Sequence, residues 1–465
     1  MHEQVYSIGP GALNVERRPE HRGPWGPRGQ SGADGTHRPH TALTPLALAA
    51  TATATRAGED SAANRMKRLV LVLACLLVVF GLATTVSASQ EGKLLIWADE
   101  LRATVLKDIG QSFTKQYGIP VEIRELGFGD IRDQLGVAGP AGEGPDIIVG
   151  AHDWLGQLVV NGLLEPIDLG AKAKDFVPVS LNAFTWGKTL YGVPYAIEAV
   201  GLIYNKKLVP NPPKTFDELI NIAKKLTNKD KKEYGFLIPQ PDPYHTFPLM
   251  SATGGYVFGT KPDGTLNPLD VGLNNKGAIR GLSIFDKLIE DGIMPIGIDY
   301  PTMMGLFKEG KVGMMITGPW AFAEIRDAKI NYGFAKIPSI DGKPARPFVG
   351  VQGFMVSSFS KNKLLAKAFL NDFVATQETM KALYDRDPRP PAFLPTSKAV
   401  ASDPDIAGVG ASAADGTPMP AIPEMASVWT AWTNGLELII NQKLDPQKAM
   451  DDAVAQIIAT IKGSK

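Results

Sequence analysis

Three short apolar runs separated by two amphipathic stretches limit the fold of this chain more than any other feature. Lys93-Leu94-Leu95-Ile96-Trp97 is nearly continuous in apolar residues, as strands buried on both faces are. A stretch from about Thr104 to Tyr117 follows, with Val105, Ile109 and Phe113 at helical spacing, and Gly118 stops it. Pro120-Val121-Glu122-Ile123 reads as a second strand and Asp130 to Val137 as a short helix. After a break at Gly144-Pro145, Asp146-Ile147-Ile148-Val149 reads as a third strand. This β-α-β-α-β order predicts an α/β lobe around a parallel sheet. In such sheets ligands lie beyond the C-terminal ends of the strands. Here those ends carry Ala98-Asp99-Glu100-Leu101-Arg102 and Gly150-Ala151-His152-Asp153-Trp154.

The stretch Leu190 to Lys206 contains two extended runs. Gly192 and Pro194 punctuate the first, and Val200 to Tyr204 forms the second. Glu198 is the lone carboxylate between them. A buried charge is costly without a partner, and an isolated Glu of this kind is more often a core acid paired to a distant Arg or Lys than a ligand contact. Further on, Thr215-Phe216-Asp217-Glu218 is a capping box that opens a helix to about Leu226. Tyr234–Ile238 and Val312–Thr317 read as strands, and Asn275 to Asp291 as a helix. Together they predict a second α/β lobe. Pro241 to Pro248 reads as a stiff, open loop, with a helix beginning at Leu249. Phe348 to Val356 reads as a return crossing between the lobes, residues 385–423 as loop-rich, Trp429 to Trp432 as helical, and 445–463 as a closing amphipathic helix.

The N-terminal region differs in kind. Residues 1–65 are rich in Gly, Pro, Arg, Thr and Ala and hold four of the six His, a composition that predicts disorder. Met66-Lys67-Arg68, the apolar run from Leu69 to Phe80 and the small residues Val86-Ser87-Ala88 then follow the order of a secretory signal. Translation is expected to start at Met66, residues 1–65 being an over-extended start, with 66–88 removed as the signal peptide. Cys75 sits midway through that apolar run and reads as an ordinary signal-peptide residue rather than a lipidation site. Residues 1–88 hold nine of the 48 basic and six of the 48 acidic residues, which leaves a net charge of about −3 on the remainder. That balance gives no electrostatic case for nucleic acid. The remainder has no cysteine, so neither disulfides nor thiol chemistry enter. It keeps only His152 and His245, which argues against His152-Asp153 as a metal pair. Asp153 reads as a cap for a helix starting near Trp154, a ligand contact, or both.

Acids and large aromatics recur at strand ends and in stiff loops: Asp99, Glu100, Asp153, Glu198 and Asp242 with Trp154, Tyr244, Phe247, Trp320 and Trp429. Singly each is weak, because a Trp is more often core than platform. Together they suit a sugar, whose apolar CH face stacks on rings and whose hydroxyls donate to carboxylates.

The segments Gly144-Pro145-Asp146-Ile147-Ile148, Ala151-His152-Asp153, Tyr195-Ala196-Ile197-Glu198-Ala199, Leu202-Ile203-Tyr204-Asn205-Lys206, Pro210 to Thr215, Gly254-Gly255-Tyr256, Thr317-Gly318-Pro319-Trp320 and Pro347 to Val351 carry a resemblance. From about Lys93 to the C-terminus the chain resembles the extracellular solute-binding proteins of ABC importers, family 1, and within them the maltose/maltodextrin-binding proteins. The resemblance implies a two-lobe periplasmic-binding-protein fold of type II, with lobes at 89–197 plus 353–401 and 198–352 plus 402–465. It implies sugar contacts at Asp153, Glu198, Asp242, Tyr244, Trp320 and Trp429. Polar contacts follow at Asp99, Glu100 and Arg102, and further lining at Ala151, Trp154, Phe247 and Met419. The chain departs from that pattern in Gly150 and Phe247, where a Trp is usual, in Trp154, where an Arg is usual, and in Thr430 and Thr433, where a Tyr and an Arg are usual. One stacking platform is thereby lost and another is expected at Trp154.

The expected function is capture of a maltodextrin-type oligosaccharide outside the cytoplasm and delivery to an ABC permease, by a monomer without cofactor. Trehalose, sucrose or a polyamine in the same fold, and a glycoside hydrolase using two cleft acids, are the competing readings.

Overall fold

The computed structural model describes residues 92–463. The expectations for residues 1–65 and 66–88 lie outside the described residues.

The three apolar runs become the strands Leu94–Ala98, Val121–Glu125 and Ile147–Ala151, with Leu94–Ala98 parallel to both of the others. Period-two alternation divides the first of them between two apolar layers. Leu94, Ile96 and Ala98 face the layer that holds Val105, Ile109 and Phe113, whereas Trp97 faces the opposite one. Burial on both faces is why the run contains so few polar residues. The helix behind it spans Glu100–Tyr117 and so starts four residues before the expected Thr104. Its first turn is the polar patch itself, because the Asp99 carboxylate caps it by accepting from Arg102 N at 2.9 Å. Gly118 ends it in the left-handed conformation, at φ 71°.

The two extended runs of the central stretch belong to different sheets. Gly192–Glu198 joins the first, seven-stranded sheet, antiparallel to Phe348–Ser357. Gly201–Asn205 lies in a four-stranded sheet between Val312–Thr317 and Tyr332–Ala335, with Tyr234–Leu237 at the far edge. Ala199 and Val200, both fully buried, carry the chain from one sheet to the other. Phe348–Ser357 makes the return passage and pairs with Ile147–Ala151 as well as with Gly192–Glu198.

The capping box forms as read. Glu218 N donates to Thr215 Oγ1 at 3.2 Å, and the helix runs Phe216–Leu226. Two expectations are corrected. The supposed loop at Pro241 to Pro248 is a helix, Pro243–Ala252, capped by Asp242 with Pro243 in its first turn. Proline suits that position, where no intrahelical N–H is needed, and the helix continues through a second proline, Pro248, in its interior. Residues 385–423 contain the helices Leu394–Ala399 and Pro404–Asp415. Gly408 weakens the local propensity of the second, yet a Cβ there would meet the Phe334 ring at 2.9 Å, so packing on the second sheet demands the glycine. Arg326 anchors the start of this helix from the second sheet's side, its Nη2 lying 3.1 Å from Asp403 and 2.6 Å from Asp405. Tyr384 Oη donates to Asp403 at 2.6 Å from the other direction.

Candidate functional site

Glu198 ends the Gly192–Glu198 strand where the chain leaves the first sheet. Its carboxylate is 5% exposed and fully engaged. Gln352 Nε2 donates to Oε1 at 2.8 Å, and Arg389 Nη1 donates to Oε2 at 2.6 Å. The paired-acid reading of Glu198 therefore holds, and its partner is a residue that sequence reasoning passed over. Arg389 is 2% exposed, and its Nε lies 2.6 Å from Asp387 Oδ2. Burial alone would lower its pKa, but Asp387, Tyr195 and Glu198 outweigh that and hold it well above the usual value. Prolines at 388, 390 and 391 stiffen the loop. The loop is also laced to the crossing strand, Ile197 N donating to Pro390 O at 2.8 Å and Ala392 N to Tyr195 O at 2.9 Å. The available signal was an arginine fenced by prolines beside an aspartate.

An aromatic wall faces this pair. Tyr244, Trp320 and Trp429 are half-buried. Tyr244 stands 6.0 Å from Trp320 and 5.7 Å from Phe348, centroid to centroid, and Trp429 stands 6.1 Å from Phe348. The Arg389 guanidinium lies over Trp320, 5.9 Å from its ring centroid. Tyr244 Oη is buried without a hydrogen-bond partner. Burial and then the nearby Glu198 push its pKa well above the usual phenol value, so it stays a protonated donor.

The other two acids are also compensated. Asp153 Oδ2 accepts from Trp429 Nε1 at 3.2 Å. Burial raises its pKa to about 6, against the opposing effects of Trp429 and Arg132. It caps no helix, a correction to that part of its reading, because its side chain is turned to the indole. Asp242 accepts from His245 N at 3.0 Å and lies 2.7 Å from His245 Nδ1. Burial would raise its pKa, but His245 outweighs this and holds it below the usual range.

Residues 108–408 match the profile of a family, bacterial extracellular solute-binding protein. The chain belongs to that family. A galactooligosaccharide-binding protein of Bacillus subtilis (strain 168) is 34% identical over 390 residues, covering 81% of this chain and 91% of the relative. A maltotriose-binding protein of Pyrococcus abyssi is 32% identical over 380 residues, 78% of this chain and 80% of the relative. The maltodextrin-binding protein MdxE of Bacillus subtilis (strain 168) is 31% identical over 414 residues, 85% of this chain and 98% of the relative.

In this solute-binding protein the residues expected at the site divide into three groups. Asp153, Glu198, Tyr244, Trp320 and Trp429 are linked by the contacts above, and Asp242 joins them through His245, whose ring lies 5.6 Å from that of Trp320. A second group is buried close by without offering a free surface. Phe247 is 1% exposed, stacked on Phe348 at 3.8 Å with Trp432 on its edge, so it supports the wall from behind rather than forming it. Trp154 is likewise buried, with Phe128 at 4.7 Å. A Cβ at Gly150 would fall 1.9 Å from the Trp154 ring, so the departures at 150 and 154 are one steric exchange. This corrects the expectation of an open platform at Trp154. Ala151 is buried in register with Gln352. Met419 is buried, and its carbonyl accepts from His152 Nε2 at 3.1 Å.

The third group serves the first sheet. Asp99 caps its helix and pairs with Arg102, whose Nε donates to Tyr195 Oη at 2.6 Å. Glu100 is exposed on the first turn. His152 completes the picture. Val351 N donates to its Nδ1 at 3.1 Å, which fixes the proton on Nε2, and burial lowers its pKa to about 4. Both ring nitrogens are thus committed to the backbone. Among the described residues, no three of His, Asp and Glu are grouped to hold a metal ion, and no helix is long and apolar enough to cross a membrane.

Proposed function

We propose that the chain is the non-catalytic binding component of an ABC importer and captures a neutral oligosaccharide of the maltodextrin type. The observation that carries this reading is the half-buried wall of Tyr244, Trp320 and Trp429 beside carboxylates that each already have a partner in the protein. Ring faces suit the apolar face of a sugar, and compensated acids still accept hydroxyl protons through their remaining lone pairs. A polyamine would instead require uncompensated acid. A glycoside hydrolase needs two carboxyls with one free to act as nucleophile or base. Glu198, held by Arg389 and Gln352, is poorly suited to that role. The names of the three relatives support a sugar ligand.

In this reading residues 89–197 with 353–401 and residues 198–352 with 402–465 are two bodies that close over the ligand about Ala199-Val200 and the neighbouring crossings. The protein acts as a monomer, exported by the signal at 66–88, and presents its closed form to the permease outside the cytoplasm. The galactooligosaccharide-binding relative supports a second reading, a galactooligosaccharide ligand in the same cleft. Intrinsic Trp fluorescence titrated with maltose, maltotriose, a galactotriose, trehalose, sucrose and spermidine tests both. A saturable change with maltotriose, lost in Glu198→Ala/Trp320→Ala, is expected. A response to spermidine alone overturns the sugar reading.

A further inference from the structure

Resting on the oligosaccharide reading, we propose that Arg389 is itself a ligand-contacting residue, whose Nη2 donates to a sugar hydroxyl oxygen. Nη1 donates to Glu198 Oε2 at 2.6 Å, and Nε lies 2.6 Å from Asp387 Oδ2 as an ion pair without hydrogen-bond geometry. Nη2 is buried and has no hydrogen-bond partner among the described residues. Leaving a buried charged donor unmet is costly, and a protein that merely needed to neutralise Glu198 could do so without a third donor. The guanidinium faces Trp320, next to Tyr244, whose hydroxyl is also buried and unpartnered. Tyr244 Oη and Glu198 Oε1 converge on Gly350, where a Cβ would sit 3.2 Å and 3.3 Å from them, closer than ordinary side-chain contact. Gly350 is not in the left-handed region, so its backbone does not require glycine there.

The chemistry follows from the parts. Nη2 supplies a donor and no acceptor, so it reads an oxygen of the ligand rather than an N–H. Because Asp387, Glu198 and the proline-fenced loop hold the guanidinium plane, that donor is aimed before the ligand arrives, and little side-chain entropy is lost on binding. Arg389 therefore sets a preference for a hydroxyl oxygen at one ring position.

The test is a coupling between protein and ligand. Wild type and Arg389→Lys are titrated calorimetrically with maltotriose, galactotriose and the monodeoxy analogues of whichever neutral sugar binds. Wild type is expected to lose about 10- to 100-fold in affinity on removal of one hydroxyl, the range for a hydrogen bond to a charged group. Arg389→Lys is expected to bind the parent sugar that much more weakly and to be insensitive to the same deletion. If Arg389→Lys does not fold, guanidinium NMR of the wild type decides. Its Nη2 protons should gain exchange protection on adding the sugar, and an unchanged signal overturns the assignment. Equal affinity of the two proteins, or no coupled hydroxyl, overturns the role of Arg389 while the sugar reading stands. Failure of wild type to bind any neutral sugar overturns both.

Discussion

Asp153 and Trp429, 276 positions apart, meet through a 3.2 Å hydrogen bond from the indole Nε1 to the carboxylate, joining the end of a first-sheet strand to a helix near the C-terminus. Burial holds this carboxyl at a pKa of about 6, above the ordinary value of 3.8. The folded protein therefore keeps the proton longer than the unfolded chain does. The resulting stabilisation is complete below pH 3.8 and is lost as pH rises through 6. Its size is about 3 kcal/mol by the 1.36 kcal/mol carried per pKa unit. Asp153→Asn, which cannot ionise, should gain stability relative to wild type between pH 4 and pH 7 in urea unfolding. Trp429 emission should titrate near pH 6 in wild type and not in the variant, and a flat stability difference across that range would refute the assignment.

His152 acts in the opposite direction. Its folded pKa of about 4 lies below the ordinary 6.5, so the neutral ring's contribution is present above pH 6.5 and is lost as pH falls through 4. His152→Gln should abolish part of the acid sensitivity below pH 6, read as a smaller drop in Tm between pH 7 and pH 5. An unchanged slope would mean that burial does not hold the ring neutral.

Phe247 and Trp320 should separate stability from binding. Phe247 is stacked in the core on Phe348, and Phe247→Ala should cost about 3–5 kcal/mol, the range for deleting a buried aromatic. Trp320 is half-buried on the wall, and Trp320→Ala should cost about 1 kcal/mol of stability while abolishing the sugar response. Denaturant melts beside calorimetric titrations check both, and equal effects of the two changes on affinity would contradict the division.

Gly350→Ala offers a steric test. The methyl would lie 3.1 Å from Glu198 Cγ and 3.2 Å from Tyr244 Oη. Both neighbours are held, Glu198 by Gln352 and Arg389 and Tyr244 by Trp320 and Phe348, so the overpacking should cost about 1–3 kcal/mol. If the proposed sugar lies against Tyr244 and Glu198, its affinity should fall at least about tenfold, because the methyl crowds both side chains. Unaltered binding would move the ligand away from Gly350.

Glu198→Ala probes the buried pair. It strips Arg389 of one of its two carboxylates, and breaking such a pair costs about 3–5 kcal/mol. Glu198→Gln, which keeps the hydrogen bonds' geometry, should recover a large part of that loss in the same urea titration. Equal instability of the two variants would show that packing, not charge, sets the cost.

Wherever chemistry is local, the sequence by itself determined the element. Thr215 and Glu218 are three residues apart and reach each other within one helical turn, so the start of Phe216–Leu226 was readable. Gly118, Asn275 and the apolar runs at Leu94, Ile147 and Val312 were readable for the same reason, as was the double strand around Glu198. The helix Pro404–Asp415 was hidden, because its glycines argue against helix locally and only Phe334, across the interface, explains Gly408. Nor did composition distinguish Phe247 from Trp320, two aromatics of which one is walled in and the other left half-buried. The pairing of Glu198 with Arg389 spans 191 positions, and no local rule selects one arginine among many at that separation. Choice of partner depends on which groups the folded sheets bring within hydrogen-bond reach while excluding water. That is a property of tertiary structure, and it decided how the acids of this chain are spent.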